Sequence, residues 1–190
     1  MASEQQAGLL DDLDVVETVM ARVTSVLGML IDREFRVGEL RAERVHERPA
    51  GAGQVHVSFR MAFGLEGGDR HAALLVPLPD ALALAARLLC LSDEEVEEHR
   101  GLLGPDALTK DALLELGNMI SGAVQDSVRE LTGSDSSVSF GGCQGVRADV
   151  RPALEYTEGD ELVVGRAVAR IHEYPEFELI LMFPALPGMA

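Results

Sequence analysis

The chain has 190 residues, 47% of them hydrophobic but only 4% aromatic and none of them Trp, so a single domain must build its core from Leu, Val, Ala, Ile and Met. Its formal net charge of −16 repels phosphate backbones and anionic lipid surfaces, which disfavours nucleic-acid binding and membrane-surface attachment. Cys90 and Cys143 form no CxxC pair and have no histidine at ligand spacing, so neither a disulfide framework nor a zinc site is supported, and the two thiols are expected to be mostly buried.

The opening stretch MASEQQAGLLDDLD lacks the basic and apolar regions of a signal peptide, and no apolar run approaches the length of a membrane span. A soluble, cytoplasmic protein is expected, with residues 1–10 as a flexible leader and 11–187 as one domain. From Asp11 to Gly28 the pattern is helical, with Val15, Val19, Val23 and Leu27 on one stripe and Asp11 or Asp12 as cap. Three strands follow. The first runs from about Arg36 to Val45. The second, VHVSFRMAF, turns Val55, Val57, Phe59, Met61 and Phe63 to one side, and the third, HAALLVPLP, is nearly continuous apolar. The Gly-rich joints RPAGAGQ and GLEGGD read as hairpin turns.

Pro79 and Asp80 open a short helix, ALALAARLLCL, and the acidic SDEEVEEHR reads as a solvated helix or loop. GLLGPDALT is the connector to a second long helix, from about Lys110 to Leu131, with Thr109 as cap and Gly133 at its end. Three more strands follow, from about Val138 to Val146, LVVGRAVARI from Leu162, and FELILMF from Phe177, in which Phe177, Leu179, Leu181 and Phe183 alternate with Glu178, Ile180 and Met182.

The order is a helix and three strands, written twice, over pseudo-repeats of about 11–79 and 109–184; the third strands, ALLVPLP and LILMFP, even resemble each other. The expected fold class is α+β, a duplicated helix-plus-three-strand unit with an antiparallel sheet packed with two long helices.

On the second long helix Leu113, Leu116, Ile120, Ala123, Val124 and Leu131 gather on a core face. Asp111, Glu115, Asn118, Gly122, Gln125 and Arg129 fall within an opposite arc of roughly 80°. Glu115 and Asn118 are therefore surface neighbours. Gly122 sits mid-helix, where glycine costs about 1 kcal/mol relative to Ala, a cost that close approach of another backbone would explain. No other catalytic set competes. His46, His56, His71, His99 and His172 form no ligand-spaced pair, GLEGGD lacks the lysine and helix of a phosphate loop, and no serine elbow is present.

The segment Asp111-Ala-Leu-Leu-Glu115-Leu-Gly-Asn118-Met-Ile-Ser-Gly122 resembles the signature of the CheC/CheX/FliY phosphatases: Asp or Ser, three residues, Glu, two residues, Asn, then a small residue four positions on. The duplicated layout resembles that family across most of 11–185. The resemblance implies removal of the phosphoryl group from the phospho-aspartate of a CheY-like receiver domain in a chemotaxis or motility pathway. It implies Glu115 and Asn118 as catalytic residues, Asp111, Gly122 and Gln125 as binding residues, and no metal or cofactor of the chain's own, with magnesium supplied by the receiver. One departure is plain: where the family carries a proline downstream of the Asn, this chain reads Phe140-Gly141-Gly142-Cys143.

A second function class is an interaction module without catalysis, as in the flagellar switch, or a regulator of a CheD-like deamidase. The halves of the chain set Glu17 against Glu115, with Met20 in place of Asn118 and Leu13 in place of Asp111, so the first copy is expected to be inactive. A single site per chain resembles CheX, which implies a homodimer, through the first-copy helix or a sheet edge.

Overall fold

In the computed structural model, which describes residues 11–65, 68–133, 137–154 and 161–185, α1 (Asp12–Ile31) leads into β1 (Phe35–Val45), β2 (His56–Leu65) and β3 (Gly68–Pro77). Helices α2 (Leu78–Leu88), α3 (Asp93–Arg100) and α4 (Ala107–Thr132) come next, followed by β4 (Ser137–Val146), β5 (Leu162–Ile171) and β6 (Phe177–Pro184). The expected leader, 1–10, lies outside the described residues, as do Glu66 and Gly67 of the GLEGGD turn.

The caps explain where the helices begin. Asp11 accepts from the Leu13 N–H at 3.1 Å and starts α1. α4 starts one turn before Lys110, because Asp106, and not Thr109, is its cap. The Asp106 carboxylate takes the Thr109 N–H at 2.8 Å and the Thr109 hydroxyl at 2.7 Å, so Thr109 is consumed as a donor inside the first turn. α2 begins at Leu78 behind Pro77, and SDEEVEEHR is a true helix, closed at its start by a reciprocal capping box between Ser92 and Glu95.

The six strands form one antiparallel sheet in the order β1-β5-β6-β3-β2-β4. GLEGGD does join the antiparallel pair β2 and β3, whose register runs from His56↔Pro77 to Leu65↔Gly68. RPAGAGQ is not a hairpin turn: β1 pairs with β5, and β2 with β4, so that segment carries the chain from one sheet edge towards the other. The two repeats thus exchange their first strands. Alternation tells which face of a strand is buried but not which strand lies beside it, so the exchange left no trace in the pattern.

Reversing the sheet order and swapping the repeats gives the same order, so the repeats are related by a pseudo-two-fold axis. It passes through the short β3–β6 ladder, at the pair Leu74↔Leu181. Finer features obey it. Both long helices end on a left-handed residue, Asp32 (φ 49°) and Gly133 (φ 62°). Both edge strands carry a bulge, between Gly38 and Arg41 in β1 and at Gly141 in β4, opposite Arg60 and Met61. On this register Asp32 matches Gly133 and Arg41 matches Gly142. Followed back along the helix, Asp14 matches Glu115 and Glu17 matches Asn118. The alignment of Glu17 with Glu115 is one helical turn out of step.

Helices α1, α2 and α4 cover one sheet face. Beneath them lie Val57, Phe59, Met61 and Phe63 of β2, all buried, while Val55 precedes the strand and is 38% exposed. Phe177, Leu179, Leu181 and Phe183 of β6 join this core. Ile180 and Met182, on the other face of β6, are buried as well, in a smaller cluster with Ala73, Leu75, Leu162 and Val164 against which Leu154 packs. A central strand flanked on both sides has no solvated face, which is why FELILMF carries so little polarity.

Candidate functional site

Helix α4 buries one face in the core and turns the candidate residues outward on the other. Leu113, Leu116, Ile120, Ala123 and Val124 are buried as expected, joined by Ala112, Gly117, Ser121, Ser127 and Val128, while Leu131 is half-buried. Asp111, Glu115, Asn118, Gly122 and Arg129 are all exposed in one row. Among the described residues neither the Glu115 carboxylate nor the Asn118 side-chain amide is engaged by another side chain; the only bond at Asn118 outside the helix ladder goes to its backbone carbonyl, from the Ser121 hydroxyl at 2.8 Å. An exposed carboxylate and an exposed amide one turn apart, both uncommitted, can between them accept from a cationic donor and both donate to and accept from a water.

Gly122 and Gly117 divide the roles that sequence reasoning gave to Gly122 alone. A Cβ on Gly122 would meet nothing within 4 Å, so among the described residues none approaches it and the helix surface there is bare. The close approach is at Gly117, where a Cβ would sit 2.2 Å from the ring of Phe140. Gly117 was missed because it lies on the core face, where a small residue is read as filler; the signal available was a glycine flanked by Leu116 and Asn118 in mid-helix, which is costly unless something presses on it.

β4 lies along α4 and fixes its roll. Phe140 fills the notch at Gly117, the Cys143 thiol donates to the Leu113 carbonyl at 3.4 Å, and the Gln125 side-chain oxygen accepts the Val138 N–H at 3.2 Å. Gln125, expected to bind, is thus committed to holding the edge strand. Burial pushes the Cys143 thiol up to about 12, so it is a packed donor and no nucleophile. Cys90, expected to be mostly buried, is exposed, at a left-handed residue (φ 57°) just beyond α2. Gly142 in the β4 bulge has φ 97°, a conformation closed to proline, whose ring holds φ near −65°.

The N-terminal end of the row is apolar. Leu108 is 55% exposed and Leu114 38%, and both flank Asp111. In the first repeat the matching positions, Asp14 and Glu17, are exposed carboxylates, and Met20 is buried in the core rather than standing in a site. Among the described residues no three His, Cys, Asp or Glu side chains come together in a way that could hold a metal ion.

No family model matches the chain, and no curated protein matches it. Solved structures do. FliY from Thermotoga maritima aligns over 91% of this chain and 87% of its own at 16% identity and a TM-score of 0.66. CheX from Desulfovibrio desulfuricans aligns over 90% and 99% at 14% identity and a TM-score of 0.58. The FliM middle domain from H. pylori aligns over 91% and 91% at 13% identity and a TM-score of 0.55.

The chain is therefore an α+β protein of the CheC/CheX/FliY fold, a fold that the FliM middle domain shares. Within that class its one exposed Glu/Asn pair, on the second of two long helices, gives it the layout of a protein with a single candidate site.

Proposed function

We propose that the protein hydrolyses the phospho-aspartate of a CheY-like receiver domain in a chemotaxis or motility pathway. The observation that supports this best is the state of Glu115 and Asn118: exposed, adjacent and uncommitted, beside a glycine that leaves the helix surface bare.

An acyl phosphate is already reactive, and the receiver brings its own magnesium and lysine, so this chain needs no nucleophile. Asn118 orients one water in line with the scissile bond, donating to it and accepting from it, the task a glutamine performs in GTPases. Glu115 pairs with the receiver's lysine as the interface closes, which sets the register of the helix on its target. Bare Gly122 lets the receiver backbone approach. Asp111 and the apolar Leu108 and Leu114 form the rim.

A mixing assay tests the proposal. Labelled phospho-receiver loses its label faster with this protein than without it, and Asn118→Ala removes the acceleration. No acceleration at micromolar protein overturns it.

The likeness to the FliM middle domain favours a second reading, an assembly module of a flagellar switch. Receiver binding without any acceleration, unaffected by Asn118→Ala, is the result that would favour it.

A further inference from the structure

Eight large apolar side chains stand exposed among the described residues, and four of them, Leu102, Leu103, Leu108 and Leu114, fall within residues 102–114, next to Glu115. A single exposed leucine is ordinary, but such a concentration beside a candidate site marks a surface that something covers.

Leu103 is 100% exposed, at the tip of the connector from α3 to α4. The base of that loop is pinned. The Leu102 N–H donates to the His99 carbonyl at 3.1 Å, and His99 Nε2 lies 3.4 Å from Oδ2 of Asp106, the residue that caps α4. Arg100, just before the loop, donates to the buried Asp80 carboxylate at 2.8 Å and lies 4.4 Å over the Tyr174 ring. A loop tied to the core at its base loses less freedom when a partner covers its tip.

The leucines belong to the same surface as the site. At 100° per residue Leu108 lies about 20° from Glu115 and about 10 Å before it along the axis, and Leu114 lies about 40° from Asn118. Leu103 is three residues from the Asp106 cap, a reach of at most about 11 Å. A stable interface takes about 800 Å² from each partner, a disc of about 16 Å radius. A protein that seats its lysine on Glu115 therefore covers Leu108 and arrives at Leu103. An exposed ion pair in ordinary salt contributes little by itself. The affinity that keeps such a partner on α4 must come from apolar area, and these leucines are the apolar area beside Glu115.

We propose that Leu108 and Leu103 are the apolar anchors of the receiver-docking surface, and that the receiver this chain selects presents an apolar face beside its active-site lysine. Glu115 sets the register; the leucines supply the affinity and the choice among receivers. The inference rests on the function proposed for α4 only in taking a receiver as the occupant.

The full chain is titrated calorimetrically with each CheY-like receiver of the same genome, held in its activated form by magnesium and beryllofluoride. Leu108→Ser and Leu103→Ser are each expected to weaken binding about tenfold, as burial of a leucine side chain implies. That loss persists at 500 mM salt, whereas the loss caused by Glu115→Gln shrinks there. Should Leu108→Ser disturb the first turn of α4, Leu103→Ser, outside any helix, decides alone. Receiver binding indifferent to both leucines but weakened by Glu115→Gln overturns the anchors and leaves the proposed function standing. A dimer that the double leucine variant dissociates in sedimentation, with receiver affinity unchanged, assigns the surface to a second copy and also overturns them. Absence of binding by every receiver removes the occupant and overturns both readings. Leucine-dependent binding without any dephosphorylation upholds the anchors and overturns the hydrolysis alone.

Discussion

The ring of Phe140 lies in the space that a side chain on Gly117 would occupy, 2.2 Å from where its Cβ would stand. This pair joins the edge strand to the site helix one residue from Asn118. The first repeat solves the same problem differently: there Val16, the match of Gly117, presses on Gly165 of β5, where an added Cβ would meet the Val16 side chain at 2.2 Å. Bulk sits on the helix in one half and on the sheet in the other.

Gly117→Ala should therefore destabilise the protein. The gain in helix propensity, up to about 1 kcal/mol, is outweighed by overpacking of about 1–3 kcal/mol. Gly117→Ala/Phe140→Leu should recover stability, because the smaller side chain vacates the notch. Thermal unfolding of the two variants checks this; a stabilised single variant would show that the ring moves aside without cost.

Asn118→Ala should leave the fold intact, since the side chain is exposed and touches no other, and should slow dephosphorylation on the order of 10²-fold or more, as loss of a transition-state contact does. Glu115→Ala should weaken receiver binding as well as turnover. Rates at saturating and limiting receiver separate the two effects. Full activity of Asn118→Ala would dismiss the assignment.

Gly122→Ala gives opposite signs in two assays. With nothing within 4 Å of the added Cβ, the change should stabilise the helix by up to about 1 kcal/mol. If the receiver backbone docks there, the same methyl should reduce receiver affinity. A rise in melting temperature with unchanged affinity would show that Gly122 plays no part in docking.

His56 sets a pH dependence of stability. It is 2% exposed beneath Gly51, and burial holds its imidazole below the ordinary 6.5, against opposing effects of the Gln54 carbonyl and the charges of Glu178 and Asp80. The unfolded chain therefore takes up the proton first. Stability is full above about pH 6.5 and is lost as pH falls from there towards the lower folded value. His56→Gln should flatten the slope of unfolding free energy between pH 7 and 5, measured by denaturant titration; an unchanged slope would assign it to other groups.

Periodicity along the chain was enough to place every long element and the division of α4 into a buried and an exposed face, because each depends on local spacing alone. Leu113, Leu116 and Ile120 against Glu115 and Asn118 could be separated by angle with no knowledge of what lay beyond them. Tertiary structure decided the rest. That β1 pairs with β5 and not with its chain neighbour β2 is a choice among equivalent ladders, made by which apolar faces meet. That Glu17 matches Asn118 follows from the bulges and left-handed helix ends, which are irregularities of backbone rather than patterns of residues. That Gln125 is occupied, Gly122 bare and Gly117 filled depends on where β4 lies along α4, a long-range contact whose partners are distant in sequence and carry no periodic mark.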